Sequence, residues 1–225
     1  MLAGADGIRN GWIAAILRED GSTEVQTFTS FLSLKEDTTL ESIVIDIPIG
    51  LPDDGARACD QEARRCLGQS RRSSVFPAPI RSMLTAHDWK DACRIRWERE
   101  GKKCAKQVAA ILPKIREVDG AMTRDLQKRI REGHPEMSFF MMNRERPVAS
   151  KKKTRQGQLE RLALLVPCFP DIEKNLQVKP RALRVDILDA YACLWTAKRI
   201  ATNQSRSFPQ DSEQDGMGLI MEIVT

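Results

Sequence analysis

Residues 42–52, SIVIDIPIGLP, decide the fold. Ile43, Val44, Ile45 and Ile47 make a β-branched run of the kind found in a strand covered on both faces, as in sheets with helices packed against them. Pro48, Gly50 and Pro52 end the run. One position interrupts it, Asp46. A carboxylate at the end of a buried strand is costly to desolvate without a partner, so Asp46 is the first candidate for chemistry.

The residues before this strand supply its neighbours. Met1–Ala5 is apolar, GIRNG (7–11) is a turn and WIAAIL (12–17) is rich in strand formers. Asp20-Gly21 is a hairpin signal, and EVQTFTSF (24–31) alternates well enough for a third strand. A short helix is expected around Leu32–Thr39. Three strands, a helix and a buried parallel strand predict an α/β mixed sheet.

After the strand the pattern turns helical. Ala56–Leu67 reads as a helix, followed by the irregular, basic GQSRRSSVFPAPIRS (68–82). Thr85–Arg131 carries helical periodicity, with Val108, Ile111, Leu112 and Ile115 on one stripe and Pro113 starting or kinking a helix. The expectation is one domain with a helical insertion over about residues 56–131. HPEMSFFMM (134–142) reads as a strand, or a strand passing into a short helix, and RERPVASKKKTRQG (144–157) as a polar loop. QLERLALLVP (158–167) is a short helix. In DILDAYACLWTAKRI (186–200), Ile187, Ala190, Tyr191 and Leu194 recur at i, i+3, i+4 and i+7, which makes it the strongest helix of the chain. GLIMEI (218–223) is expected as the final strand.

Acidic residues recur where a cation site would need them. Asp6 ends the first apolar run, Asp46 the buried strand, and Glu136 follows His134-Pro135. Asp186 and Asp189 lie three apart on the last helix and so share a face. Magnesium and manganese take oxygen ligands and keep several waters, so a few carboxylates suffice when phosphate supplies the rest. Two such ions about 3.5–4 Å apart can activate water and stabilise the leaving oxygen of an in-line displacement. Structural roles compete: Asp186 fits a helix N-cap, and Asp6 could cap the DGIRNG turn.

Basic residues fit an anionic substrate. Arg71, Arg72, Ser73 and Ser74 could hold phosphate by charge and hydroxyl donors, and Lys152 and Lys153 could do the same, although each stretch also suits a solvated loop. The excess of 36 basic over 31 acidic residues, +5, with a pI near 9.0, is a mild bias toward anionic partners. Six cysteines without a CxxC pair or zinc-like spacing suggest reduced, cytoplasmic thiols, and two histidines are too few for a histidine-based metal site. No apolar stretch approaches the ~20 residues of a membrane span. P-loop, GxSxG and GxGxxG patterns are absent.

Taken in order, GADGIRNGWIAA (4–15), VIDIPIGLP (44–52), CDQEARRCLGQSRRSSVFPAP (59–79), HPEMSF (134–139), SKKKT (150–154) with GQLER (157–161), DILDAYACLWTAKRI and DGMGLIMEI (215–223) span nearly the whole chain. This series resembles a family of predicted RNase H-like nucleases. The resemblance implies a five-stranded mixed sheet flanked by helices, with the middle helices as an elaboration. The D-x-x-D-A pattern at Asp186 and Asp189 is similar, more distantly, to the final helix of Holliday-junction resolvases of that superfamily. It implies Asp6, Asp46, Asp186 and Asp189 as ligands of Mg2+ or Mn2+, with Glu136 in an HPE motif of the family's own. Those resolvases carry glutamate where Asp46 stands. A resolvase-like substrate would favour a homodimer.

The expected activity is therefore metal-dependent hydrolysis of phosphodiester bonds in DNA or RNA. Two alternatives belong to other classes. One is a nucleotide-binding phosphotransferase or ATPase of the actin-like kind, with DGIRNG as its phosphate hairpin. The other is a non-catalytic RNase H-like module that binds nucleic acid or metal.

Overall fold

A computed structural model describes residues 1–225. In chain order the first elements are β1 (Leu2–Ile8), β2 (Gly11–Leu17), β3 (Thr23–Phe28), α1 (Phe31–Lys35), β4 (Ser42–Ile45) and α2 (Ala58–Arg71). The middle holds α3 (Trp89–Glu100), α4 (Lys106–Asp119), α5 (Arg124–Gln127), β5 (Ile130–Glu132) and α6 (Pro135–Met142). α7 (Arg155–Leu165), α8 (Ile172–Gln177), α9 (Arg184–Ala201), β6 (Ser207–Gln214) and β7 (Ile220–Val224) complete the chain. The contacts divide it into two compact units, residues 1–46, 129–206 and 224–225, and residues 47–128 with 207–223.

The first unit holds a five-stranded sheet of order β3-β2-β1-β4-β5. β1 pairs with β2 and β2 with β3 antiparallel, whereas β4 is parallel to β1 and β5 parallel to β4. This mixed sheet flanked by helices is the expected α/β architecture and is consistent with an RNase H-like arrangement. The register sets Ala5 beside Ile45, and the Asp46 amide donates to the Ala5 carbonyl at 3.0 Å. Asp6 and Asp46 therefore leave adjacent strands at the same level.

α9 lies directly on this sheet, and Gly4 is what lets it. A β-carbon at Gly4 would stand 1.9 Å from the Leu194 amide nitrogen and 2.3 Å from the Ala190 carbonyl oxygen, both backbone atoms that cannot swing aside. Overpacking a core costs about 1–3 kcal/mol, and contact with fixed backbone belongs at the upper end. Gly4→Ala is expected to lose about 3 kcal/mol, read as a lower denaturant midpoint with an unchanged slope.

Burial of this helix explains its composition. Ile187, Ala190, Tyr191 and Leu194 join Ile13, Val25, Phe139, Leu165 and Phe169 in the main core, while Cys193 and Ala197 pack on Val44. The Tyr191 hydroxyl is 2.7 Å from Thr23 Oγ1 and accepts from Asn175 Nδ2 at 2.9 Å, which satisfies its one polar atom inside that core.

Two expectations are corrected. HPEMSFFMM contains no strand: Pro135 takes the first turn of α6, where its missing N–H costs nothing, and the helix runs to Met142. The fifth strand is the preceding Ile130–Glu132, which the periodicity had placed within the helical middle. GLIMEI holds the final strand as expected, β7, which pairs with the polar β6 (Ser207–Gln214) in a separate two-stranded sheet.

The second unit carries the middle helices together with that ribbon. A buried ion pair joins Arg57 Nη2 to Asp60 Oδ1 at 2.6 Å, and Asp60 Oδ2 accepts from the Ala78 amide. Arg81 bridges Asp119 and Asp215. Ile80, Met83, Ala92, Val108 and Leu112 form its small core.

Candidate functional site

Strand alternation and helix periodicity bring three carboxylates together. Gly4 faces α9, so Asp6, two residues on in β1, points to the same side. Val44 packs on α9 through Cys193 and Ala197, so the alternation puts Asp46 on that side of β4 as well. From the helix, Asp189 lies one turn before Cys193 on the same face. The outcome is a trio, Asp6, Asp46 and Asp189, each offering an oxygen, with those atoms all within 4.8 Å of one another.

The trio is crowded with like charge. Burial first, then Asp46 and Asp189, pushes the Asp6 carboxyl well above the ordinary carboxylate range. Asp46 is also raised by burial, with His134 and Lys152 pulling it back down. Burial and then the three carboxylates push the Cys193 thiol beneath them far up, so it stays a neutral packing group. The direct cationic contact to the trio is Lys152: its Nζ donates to Asp189 Oδ2 at 2.8 Å, and Asp189 is the chief cause of the lysine's raised pKa. A single ammonium against three carboxylates leaves the site short of positive charge.

Asp189 is only 1% exposed, yet its Oδ1 has no hydrogen-bond partner. A buried carboxylate oxygen without a donor costs free energy unless something else meets it. An oxygen-rich, electron-rich pocket with one orphaned ligand atom fits Mg2+ or Mn2+, whose preferred donors are carboxylate and water.

The other expected residues divide. Asp186 sits in the first turn of α9, outside the trio, with its carboxyl raised by burial and by Asp189. Glu136 is taken up in a structural pair: its Oε1 accepts from Arg161 Nε at 3.0 Å and Nη2 at 2.5 Å, with both side chains buried. The remaining Arg161 nitrogen, Nη1, donates to the carbonyls of Ser150 and Gly157, the two ends of the segment that carries Lys152 and Lys153. Lys153 acts at longer range, lowering the Asp186 carboxyl. Arg71 is buried, whereas Arg72 and Ser73 are exposed and Ser74 half-buried at the end of α2, all four in the second unit.

Two residues of the site were not anticipated. His134 occupies the N-cap position of α6 just beyond β5 without a side-chain capping bond, lowers the Asp46 carboxyl against the effect of burial, and has a buried Nδ1 without a partner. Its only signal in the sequence was its place before Pro135. Arg161 ends the GQLER segment, but nothing in the sequence pairs it with Glu136, 25 residues away.

No curated protein and no solved structure matches the chain. A family model described as "Protein of unknown function (DUF429)" matches residues 4–214, nearly the whole length. The chain belongs to that family.

Proposed function

We propose that this protein is a metal-dependent nuclease that hydrolyses phosphodiester bonds of DNA or RNA with Mg2+ or Mn2+ held by Asp6, Asp46 and Asp189. The observation that carries this reading is the trio itself: three convergent carboxylates, from β1, the end of β4 and α9, with the Asp189 Oδ1 atom unsatisfied. The resemblance to predicted RNase H-like nucleases and the mixed sheet of matching polarity support it.

The division of labour follows from placement. Asp6 and Asp46 are brought to one level by the paired register of β1 and β4. Asp189 closes the set from the helix. A bound cation supplies positive charge to the phosphodiester and lowers the pKa of coordinated water. Lys152, 41% exposed in its side chain, offers an ammonium to a phosphate oxygen while it still contacts Asp189. Lys153 adds charge beside it, and the Glu136–Arg161 pair fixes the segment that bears both lysines.

Ionisation ties this site to pH. Asp6 and Asp46 have folded-state pKa values above the ordinary 3.8. The stability they contribute is complete below that value and is lost as pH rises through their raised folded values. A cation binds the ionised form, so its stabilising effect grows over the same window, upward from 3.8. At about 100 times its Kd the cation adds about 2.7 kcal/mol, or about 5–11 °C of melting temperature for a chain of this size. Thermal melts with and without Mn2+ are expected to show that gain at about pH 8 and little at about pH 4. Equal gains at both ends would contradict the proposal.

The test of the activity is a labelled panel of single-stranded, duplex, hybrid and branched DNA and RNA, incubated with Mn2+, Mg2+ or chelator. Cleavage of at least one substrate with cation and of none with chelator is the expected result. Failure to cut any of them removes the nuclease and leaves a non-catalytic binding module.

A further inference from the structure

A second feature of the first unit is basic. Arg155, Gln158 and Leu159 of α7, Arg181 of the turn before α9, and Arg184 of α9 line a cavity of about 560 Å³. None of the three arginines forms an ion pair, in a molecule where Arg57, Arg81, Arg94, Arg96 and Arg161 all do. Three uncompensated guanidinium groups around one concavity repel each other, and an anion is what relieves them. Arg155 and Arg184 are each the first residue of their helix, where the backbone dipole also favours negative charge. Leu159, 46% exposed, adds an apolar surface on the same wall.

The cavity is built on two of the segments that carry the carboxylate site, the Lys152–Arg155 stretch and α9. Arg155 follows Lys152 by three residues, and Arg184 precedes Asp189 by five on the same helix. At 1.5 Å rise per residue, five residues span about 7.5 Å along α9. We infer that Arg155, Arg181 and Arg184 bind the phosphodiester backbone of a nucleic-acid strand next to the bond held at Asp6, Asp46 and Asp189, with Leu159 against a sugar or base. This rests on the nuclease reading for the identity of the neighbouring site, while the anion-binding chemistry stands on the arginines alone. Guanidinium groups suit phosphate because they present paired donors in a fixed plane, and contacts of this kind set register without reading sequence.

The experiment is fluorescence anisotropy with labelled single-stranded DNA and RNA oligonucleotides in chelator, so that binding is measured without cleavage. The proteins are wild type, Arg155→Gln/Arg181→Gln and Asp6→Asn. Both substituted arginines are exposed, and the melting temperature checks that the fold is kept. The double variant is expected to bind every sequence more weakly and to flatten the slope of log K against log salt by about 1.4, two single-strand contacts at about 0.7 each. Asp6→Asn, which removes a negative charge beside the bound strand, should bind at least as tightly as wild type. A double variant with wild-type affinity and slope overturns the inference, as does a wild type that binds no oligonucleotide at low salt. Displacement of the strand by inorganic phosphate at equal phosphate concentration also overturns it, in favour of a small free anion. Binding through the arginines with no cleavage under Mn2+ would instead defeat the nuclease and leave this subsite standing.

Discussion

Asp6→Asn is expected to abolish cation-dependent cleavage while making the cation-free protein more stable. Removal of an outer hydrogen-bond partner of a metal ligand costs about 10–100-fold, so loss of a direct ligand should exceed about 100-fold. Stability moves the other way because Asp6 is held against Asp46 and Asp189 and its ionisation is opposed by burial. Asn keeps the shape and discards the charge. Each kcal/mol of repulsion relieved raises the melting temperature by about 2–4 °C. Cleavage assays and melts on the same preparations check both halves. A variant that is inactive and also less stable would mean that Asp6 is a structural residue.

Arg161→Ala should produce the largest loss of stability. The Arg161–Glu136 pair is almost fully buried, at 1% and 4% side-chain exposure, and breaking such a pair from one side costs about 3–5 kcal/mol because the partner is left charged and unsatisfied. That corresponds to about 6–20 °C in melting temperature. Arg161→Met combined with Glu136→Leu removes both charges and is expected to recover most of the loss. Cleavage should not recover with it, since the carbonyls of Ser150 and Gly157 still lack their donor and the Lys152 segment is no longer tied down. A double variant with full activity would show that Arg161 serves stability alone.

Much of this was legible in local patterns, and the rest depended on contacts between distant residues. The β-branched run around Asp46 announced a buried strand, and its parallel pairing with β1 put Asp6 at the same level. The stripe on α9 gave the helix its buried face, and the acids at 186 and 189 lay on the same helix. What the i, i+3 spacing could not do was separate Asp189 from Asp186. That choice depends on how far along the helix the sheet ends, which only packing through Gly4 and Cys193 determines. β5 is three residues long and follows polar helix formers, too short for any alternation to emerge. Phe139, Phe140, Met141 and Met142 made α6 resemble a strand because an element buried on nearly every side has no amphipathic period to show. Glu136 looked like a candidate ligand for want of its partner, and Arg161 lies on another helix.

The most direct test of the central claim is a calorimetric titration of Mn2+ into the wild-type protein and Asp46→Asn near neutral pH. The claim is that Asp6, Asp46 and Asp189 together bind a divalent cation. It predicts saturable binding to the wild type with proton release as the raised carboxyls ionise, and at least tenfold weaker binding to the variant. Equal binding by both proteins, or none by the wild type, would contradict it.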